Sequence, residues 1–198
     1  VDGSSGRVSL GSEFPVTQLI YTLGLKDVFG SDFSYHRLIV KVDDITKFPP
    51  FGYTYWALEA GKTWNAVPYP LLNVHLGNES YFYDYSAFNL MNYYEFVSDQ
   101  YASLFVVHHF DGFFLDKVPL MRKLKWREVI SMRGVYGSLS QANKDLLVSP
   151  DEINSLSAKP YVEMGFGVEN IFKFLRFDFL YRTTYRDYPG ISKFGIRM

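Results

Sequence analysis

Hydrophobic and polar residues alternate with a period of two through most of the last forty residues. One phase holds apolar and aromatic side chains: Val162, Met164, Phe166, Phe177, Phe179 and Tyr181. The other phase holds charged side chains: Glu163, Arg176, Asp178, Arg182 and Arg186. A period of two places neighbouring side chains on opposite faces of a β-strand. The stretch is therefore predicted to form strands with one apolar face and one charged face.

Two faces of this kind are typical of a transmembrane β-barrel, in which the outside contacts lipid and the inside is polar. We therefore predict that the apolar set faces lipid. The charged set is predicted to face the lumen, together with Arg133 from an earlier strand. A soluble antiparallel sheet with one solvated face would produce the same alternation and remains an alternative.

Strand-like stretches bounded by Gly, Pro, Asp and Asn follow one another along the whole chain. The ten predicted strands cover residues 6–14, 16–25, 33–46, 52–62, 87–97, 101–110, 125–137, 161–169, 173–186 and 190–198. They predict an all-β fold, an antiparallel transmembrane β-barrel, with residues 1–198 forming a single barrel domain or the C-terminal portion of one. Lipid cannot satisfy an open sheet edge, so the sheet must close. We favour a larger barrel to which this chain supplies the C-terminal strands.

Strict up-and-down order assigns each connection to one side of the membrane, once the last strand is taken to end in the periplasm. The connections predicted outside the cell are 47–51, 98–100, 138–160 and 187–190. Those predicted in the periplasm are 26–32, 63–86, 111–124 and 170–172. Two long periplasmic connections are unusual for bacterial barrels. Either these segments have a function, or one strand has been miscounted.

Composition narrows the alternatives without deciding between them. The mean hydropathy is -0.07, and no run of eighteen apolar residues could form a membrane-spanning helix. Aromatic residues make up 19% of the chain, which suits strands and the aromatic girdles of barrels. A net charge of -1 gives no reason to expect nucleic acid as a partner. Because Val1 does not begin a signal peptide, which a barrel would need, we expect the chain to be part of a longer precursor.

Few residues suggest chemistry. His108, His109 and Asp111 could bind a transition metal, but adjacent residues of a strand point to opposite faces, so neither a metal nor a cofactor is predicted. The lumen charges are expected to form a structural network or to line water; a catalytic carboxylate pair is the less favoured reading. The sequence contains no nucleophile elbow, phosphate-binding loop, HExxH or dinucleotide motif. The prediction is therefore a protein that is not an enzyme.

A basic segment at residues 117–127 forms a second candidate. It contains Lys117, Arg122, Lys123, Lys125, Trp126 and Arg127 and no acidic residue. Basic and aromatic residues together suit a lipid headgroup surface, whereas a solvated loop would give the same composition. Four predicted strands follow this segment, and an even number returns the chain to the side it left. The segment is therefore predicted at the periplasmic membrane surface.

Several stretches together resemble one protein family. They are Pro68-Tyr69-Pro70-Leu71-Leu72 with Gly77-Asn78, Phe88-Asn89-Leu90-Met91 with Glu95-Phe96 and Ser98-Asp99, His108-His109-Phe110-Asp111-Gly112 with Lys125-Trp126-Arg127-Glu128, and Gly165-Phe166-Gly167-Val168-Glu169-Asn170-Ile171. The resemblance is to the C-terminal barrel of a Bacteroidota outer-membrane family of unassigned function, whose members carry a signal peptide and an N-terminal carboxypeptidase-regulatory-like β-sandwich. The terminal strands are also distantly similar to the BamA/TamA type of barrel. The Arg-Gly motif of that superfamily's inward-folded loop is not found at the expected place, because Arg133-Gly134 lies in a predicted strand.

The resemblance implies a location in the outer membrane of a Gram-negative bacterium. The implied partners are outer-membrane lipid and lipopolysaccharide, and also outer-membrane or periplasmic proteins in a complex. The function expected first is a role in outer-membrane biogenesis or translocation. A passive channel, or a surface barrel that binds nutrients or glycans, is the second hypothesis. A soluble β-sandwich binding module is the third.

Overall fold

The computed structural model describes residues 14–28, 30–146, 154–156 and 159–198. These residues form an all-β fold with eleven strands and few helices. The strands are β1 (Val16–Gly24), β2 (Tyr35–Lys47), β3 (Tyr53–Trp64), β4 (Asn73–Val74), β5 (Phe96–Ser98), β6 (Gln100–His109), β7 (Arg127–Ser138), β8 (Asn154–Ser155), β9 (Tyr161–Ile171), β10 (Leu175–Arg182) and β11 (Phe194–Arg197). The helices are α1 (Pro119–Leu124), α2 (Gln141–Leu146) and 3₁₀ turns at Tyr69–Leu71 and Leu115–Lys117.

The helices of the described residues are too short or too polar to span a bilayer.

Eight strands make one large antiparallel sheet in the order β1-β2-β3-β6-β7-β9-β10-β11. Each strand pairs with the strand of this sheet that follows it along the chain, so the sheet is an up-and-down meander. Within the described residues, β1 and β11 are the two edges and do not pair with each other. The predicted antiparallel all-β fold is confirmed in this form.

The register of the large sheet aligns side chains of one phase into rows that cross several strands. One row runs through Val106, Met132, Met164, Tyr181 and Phe194. Because the pleat keeps alternate residues on the same face, these rows build one continuous apolar face. We call it the outer face.

The opposite face is covered by the connection between β3 and β6, residues 65–99, which we call the covering segment. Short strands β4 and β5 of this segment form a second sheet with β8. Phe88 and Phe96 of the segment pack against Tyr101 and Tyr161 of the large sheet. The hydrophobic core therefore lies between the covering segment and the large sheet, on what we call the covered face. The cover does not reach β1, which is largely exposed on both faces.

The predicted strand at 87–97 is wrong. Only Phe96–Ser98 is a strand, and it belongs to the small sheet. The peptide before it makes one isolated bridge, between Phe88 and Gly77, and is otherwise held by side chains of the large sheet. Tyr94 adopts a positive φ of 60°. The apolar run Phe88 to Met91 is buried because it fills the core, and not because it crosses a membrane.

Removing one strand changes which connections share an end of the sheet. One end, which we call the turn end, carries connections 48–52, 110–126 and 172–174. The other, which we call the loop end, carries connections 25–34, 65–99, 139–160 and 183–193. The sequence prediction placed 47–51 on the same side as 138–160, and it placed 26–32 and 63–86 on the opposite side. All three placements are wrong. Four strands of the large sheet still follow the basic segment. The prediction that this segment lies at the end of the sheet where the last strand finishes is therefore confirmed.

Of two further strand predictions, one lies outside the described residues and the other needs correction. The predicted strand at 6–14 falls almost entirely outside the described residues. The predicted strand at 173–186 ends at Arg182, because the chain then turns, with Tyr185 at a positive φ of 51°. Arg186 consequently lies exposed in the connection after β10 and does not continue the row of charges.

Candidate functional site

The covered face gathers five of the charged residues that alternation singled out: Arg133, Glu163, Arg176, Asp178 and Arg182. Arg133, Glu163 and Arg182 are direct neighbours across β7, β9 and β10, so they form one row. Asp178 and Arg182 are 0% exposed. An isolated buried charge is costly unless it is paired and hydrogen-bonded. The partners of these groups therefore decide what the face can do.

Glu163 binds the backbone of the covering segment. Its carboxylate accepts hydrogen bonds from the amides of Asn89 (2.7 Å) and Leu90 (2.9 Å). The hydroxyl of Tyr161 donates a third bond at 2.9 Å. The two amides would otherwise be buried donors without a ladder partner, which proteins avoid. Glu163 thus stands in for a β-strand along this part of the peptide.

Arg182 holds the same peptide at its other end. Its guanidinium makes a two-pronged ion pair with Glu95, with distances of 2.6 and 2.9 Å. It lies 4.8 Å from the centre of the Tyr161 ring. Glu95 also accepts a bond from the amide of Asn92 at 3.0 Å. Charge-assisted, two-pronged pairs are among the stronger polar contacts in proteins, so this pair fixes the position of the 87–95 peptide.

Arg133 of this row and Arg176, further along β10, share an aromatic contact. Arg133 donates to the carbonyl of Ala87. Both guanidiniums lie close to the Tyr83 ring, at 4.7 Å for Arg133 and 4.4 Å for Arg176 from its centre. Arg176 forms a two-pronged pair with Asp178 at 2.6 Å. Desolvated cation–π contacts of this kind stabilise buried guanidiniums.

Sequence reasoning missed three residues of this network: Asn89, Glu95 and Arg197. Asn89 is fully buried, and its side chain accepts from Asn78 at 2.6 Å and from the amide of Asp84 at 2.9 Å. Arg197 donates to the carbonyl of Asn89 at 2.7 Å. A single polar residue inside the apolar run Phe88 to Met91 was a usable signal, because a buried amide requires partners. The partners themselves are far away in sequence and could not be read from it.

His75 of the covering segment is buried without a charged partner in hydrogen-bonding reach. Its Nε2 lies 3.0 Å from the hydroxyl of Ser98, and the Tyr101 ring packs edge-on at 5.2 Å. Burial lowers the pKa of His75 to about 4, because the charged imidazolium loses its hydration. The segment is therefore docked with a neutral histidine at neutral pH.

The outer face shows the opposite chemistry. Every strand of the large sheet except β2 exposes large apolar side chains on this face. They are Leu19, Tyr21, Leu58, Leu104, Ile130, Met132, Tyr136, Met164, Phe166, Phe179, Tyr181, Phe194 and Ile196. Met164 and Phe179 are 49% and 43% exposed. Of the six residues predicted to face lipid, Val162 and Phe177 also lie on this face, half-buried. The structure brings all six together, and their contact with lipid remains a prediction.

The predicted basic segment lies at the turn end and contains α1. Leu120 and Leu124 are exposed beside Arg122 and Lys123. Nearby, Lys117 lies 4.6 Å from the centre of the Phe113 ring.

Three contacts fix the end of this segment. Lys125 ends α1 in the left-handed conformation, and its carbonyl accepts from the Asn170 side chain at 2.6 Å. Arg127 pairs with Asp111 at 2.6 Å, and Trp126 closes the turn through its amide to Met121. The segment is therefore held against the sheet at the turn end, with basic and apolar side chains exposed together.

His108 and His109 point to opposite faces, as predicted. His108 contacts the hydroxyl of Thr54 at 2.7 Å on the outer face. His109 lies on the covered face, where it contacts Glu169 at 3.0 Å and stacks on Tyr53 at 4.6 Å. Across the described ranges, no group of three or more His, Asp or Glu side chains is placed to hold a metal ion. Each histidine is accounted for by its own neighbours.

Residues 2–149 match the sequence profile of a family described as "Family of unknown function (DUF5686) C-terminal domain". The chain belongs to this family. The match agrees with the resemblance to a family of unassigned function, and it covers the covering segment, β6 and β7. No curated protein and no solved structure matches the chain. The Bacteroidota origin and the distant likeness to BamA/TamA barrels therefore stay predictions.

Proposed function

We propose that the chain forms part of the wall of an outer-membrane β-barrel in a Gram-negative bacterium. The outer face contacts lipid, and the covered face lies inside the barrel beneath the covering segment. The observation that carries this proposal is that the sheet buries charged groups on one face and exposes large apolar side chains on the other. Ion pairs such as Arg182–Glu95 are buried, while large apolar side chains such as Phe179 are exposed.

The size of the exposed apolar surface supports the proposal. Soluble monomers rarely expose contiguous apolar patches larger than a few hundred Å², whereas this face extends across eight strands. Strands β2, β3, β6, β7 and β9 have 13, 12, 10, 12 and 11 residues. About 9–11 residues of a tilted strand cross a bilayer. The apolar face is therefore long enough to match the hydrocarbon layer.

The unequal ends of the sheet support an orientation. Bacterial barrels keep short turns in the periplasm and long loops outside. Two of the three turn-end connections, 48–52 and 172–174, are tight, whereas the loop end carries the two longest connections of the large sheet, 65–99 and 139–160. We therefore place the turn end in the periplasm, with the basic segment 117–127 at the periplasmic surface of the outer membrane. Removing the incorrect strand moves 63–86 to the loop end, and of the two long connections predicted in the periplasm only 110–126 stays at the turn end.

Closure of the sheet is part of the same proposal. The outward edges of β1 and β11 have no strand partner within the described residues. Backbone groups in hydrocarbon must be satisfied within the protein. Further strands therefore close the wall into a larger barrel.

Single-cysteine labelling in lipid tests the membrane proposal. The chain has no cysteine, so Met164→Cys and Phe179→Cys can each carry a nitroxide spin label in the full-length protein in liposomes. Both labels should collide with oxygen and not with a water-soluble nickel complex. A matched label at Phe174→Cys, in the turn between β9 and β10, should collide with the nickel complex. Equal nickel accessibility at all three positions would leave the soluble β-sandwich module as the better hypothesis.

Within the membrane proposal, we infer a non-conducting barrel with a role in outer-membrane biogenesis or translocation. The docked covering segment supports this inference, because it occupies the covered face along β6, β7, β9 and β10, where a passive pore would be open. The buried carboxylates of Glu163, Glu95 and Asp178 are all engaged by hydrogen bonds or ion pairs. This arrangement favours a structural role for these groups over a catalytic one.

Conductance in planar bilayers separates this role from the channel hypothesis. The intact protein should show no steady open pore. The double variant Glu163→Gln with Arg182→Met, which releases the 87–95 peptide, should show openings. A steady conductance of the intact protein would favour the passive channel. A barrel that binds nutrients or glycans would be indicated if openings respond to added glycan.

A further inference from the structure

A groove of about 400 Å³ indents the outer face near the loop end. Its floor is formed by Ala60 and Ala102, which are direct neighbours on β3 and β6. Val40 and Tyr136 continue the same row on either side and form its walls. Tyr136 is 57% exposed and lines the groove together with the two alanines. The groove therefore exists because two small side chains lie between two larger ones in one row.

The next row towards the loop end is polar. It runs from Leu38 through Lys62 and Gln100 to Ser138. The Gln100 side chain donates to the hydroxyl of Ser138 at 2.8 Å. Lys62 is held 5.5 Å from the centre of the Trp64 ring. One mouth of the apolar groove is therefore bordered by an ammonium group, an amide and a hydroxyl.

Lys62 stands alone on this face. Among the described strands it is the one Lys or Arg in the phase of the outer face, since the other strand cations fall in the covered phase. It forms no ion pair with any described residue. A cation in a lipid-facing row is expensive unless it meets a partner or the headgroup layer. Its charge is therefore available to an anionic group beside the groove.

We propose that the groove is a binding site for the lipid A portion of lipopolysaccharide. One acyl chain lies over Ala60 and Ala102 against Tyr136, and a phosphate of the head contacts Lys62, Gln100 and Ser138. The groove volume lies within the ~300–1,000 Å³ range of small-molecule sites. The choice of lipid A rests on the proposed function, because the loop end then lies in the outer leaflet. An apolar groove that ends at an unpaired cation matches an acyl chain joined to a phosphate-bearing head better than it matches a protein surface.

Native mass spectrometry of the delipidated full-length protein in detergent tests the site. Lipid A, phosphatidylglycerol and phosphatidylcholine are added separately at equal concentrations. The intact protein should retain one lipid A in preference to either phospholipid. Lys62→Gln should weaken that binding about fivefold, since one Lys near an anionic group contributes ~1 kcal/mol. Ala102→Phe, which fills the groove, should reduce lipid A binding to the level of phosphatidylcholine.

Matched variants guard against general effects. Lys193→Gln removes a cation from the loop end outside the groove, and Ile130→Phe enlarges a side chain of the same face near the turn end; both should bind lipid A like the intact protein. The site would be overturned if Lys62→Gln and Ala102→Phe both bound lipid A as tightly as the intact protein does. Binding of phosphatidylglycerol as tight as that of lipid A, or tighter, would overturn lipid A as the occupant. So would a dimer of the intact protein that Ala102→Phe dissociates, because a second copy of the chain would then occupy the groove.

A separate label distinguishes failure of the site from failure of the membrane proposal. A spin label at Ile130→Cys in liposomes reports whether the outer face meets lipid at all. Oxygen contact there with unchanged lipid A binding by the variants would reject the groove alone. Nickel accessibility at the same position would reject the membrane proposal and the groove with it.

Discussion

The two faces of the large sheet differ in the way that matters most for this protein. On the covered face, charged groups such as Glu163 and Arg182 are buried and fully engaged. On the outer face, apolar groups such as Met164 and Phe179 are exposed. A soluble sheet packs its apolar face inward and solvates its polar face. Here the covered face buries a hydrophobic core together with these charges, and the other face exposes its apolar side chains, as the proposed contact with lipid would require.

The comparison also separates two kinds of specificity. The covered face recognises one peptide through directed contacts, so a single wrong side chain leaves a buried group without a partner. The outer face needs only to be apolar, so conservative exchanges within it should matter little. Five predictions sharpen this contrast: four stand in order of decreasing effect, and the last tests sidedness.

The largest effect is expected for breaking the Arg182–Glu95 pair. Arg182→Met should lower the free energy of unfolding by roughly 3–5 kcal/mol, because it leaves the carboxylate of Glu95 buried without its cation. Urea unfolding of the protein folded into liposomes measures the change. The double variant Arg182→Met with Glu95→Leu should recover much of the loss, since no uncompensated charge remains. A double variant as unstable as the single one would show that the pair does more than balance charge.

A charge on the outer face should have the next largest effect. Met164→Arg should cost about 2–4 kcal/mol if the side chain lies near the bilayer midplane. Phe172→Arg, the same kind of change in the exposed turn, should cost less than ~1 kcal/mol. The same urea titration compares the two. A cost below ~0.5 kcal/mol at both positions is what an ordinary soluble surface would give.

Acid should loosen the covering segment through His75. Its pKa is lowered to about 4 in the folded protein and is ~6.5 in an unfolded chain. The unfolded chain therefore binds the extra proton between these values, and stability falls as the pH drops from about 6.5 to 4, by at most roughly 3 kcal/mol. Proteolysis of the 65–99 connection, followed across this range, measures it. His75→Gln should flatten this part of the profile, and superimposable profiles for the two proteins would contradict the assignment.

The smallest effect is expected in the basic segment at the turn end. Each of Lys117, Arg122 and Lys123 should contribute about 1 kcal/mol to association with anionic lipid, and raised salt should weaken it. Quenching of Trp126 by brominated anionic lipid reports the contact. Lys123→Gln should reduce quenching, whereas Lys144→Gln at the loop end should not. Equal effects of the two variants would indicate that the segment is a solvated loop.

Sidedness of the same segment can be checked in intact cells. Lys123→Cys should resist a membrane-impermeant maleimide, because the turn end is placed in the periplasm. Asn65→Cys, at the start of the covering segment and on the loop end, serves as the accessible control. Labelling of Lys123→Cys with protection of Asn65→Cys would invert the proposed orientation.

Local patterning in the sequence was enough to predict most of the large sheet. Period-two alternation is a property of the strand itself, so strands such as β2, β3 and β9 and the membership of each face could be read from residue order. The same rule placed His108 and His109 on opposite faces and assembled the charged row on β9 and β10. Where alternation stops at Arg182, prediction failed: it could not show that Arg186 leaves the strand.

Only the tertiary structure decided what the charged face meets. The run from Phe88 to Met91 is apolar enough to suggest a strand, but its buried amides are satisfied by Glu163, more than seventy residues away in the chain. No local pattern encodes such a partner, because a buried donor is satisfied equally well by a ladder or by a distant carboxylate. Residue order therefore determined the two faces of this sheet, and long-range hydrogen bonding determined which segment covers one of them.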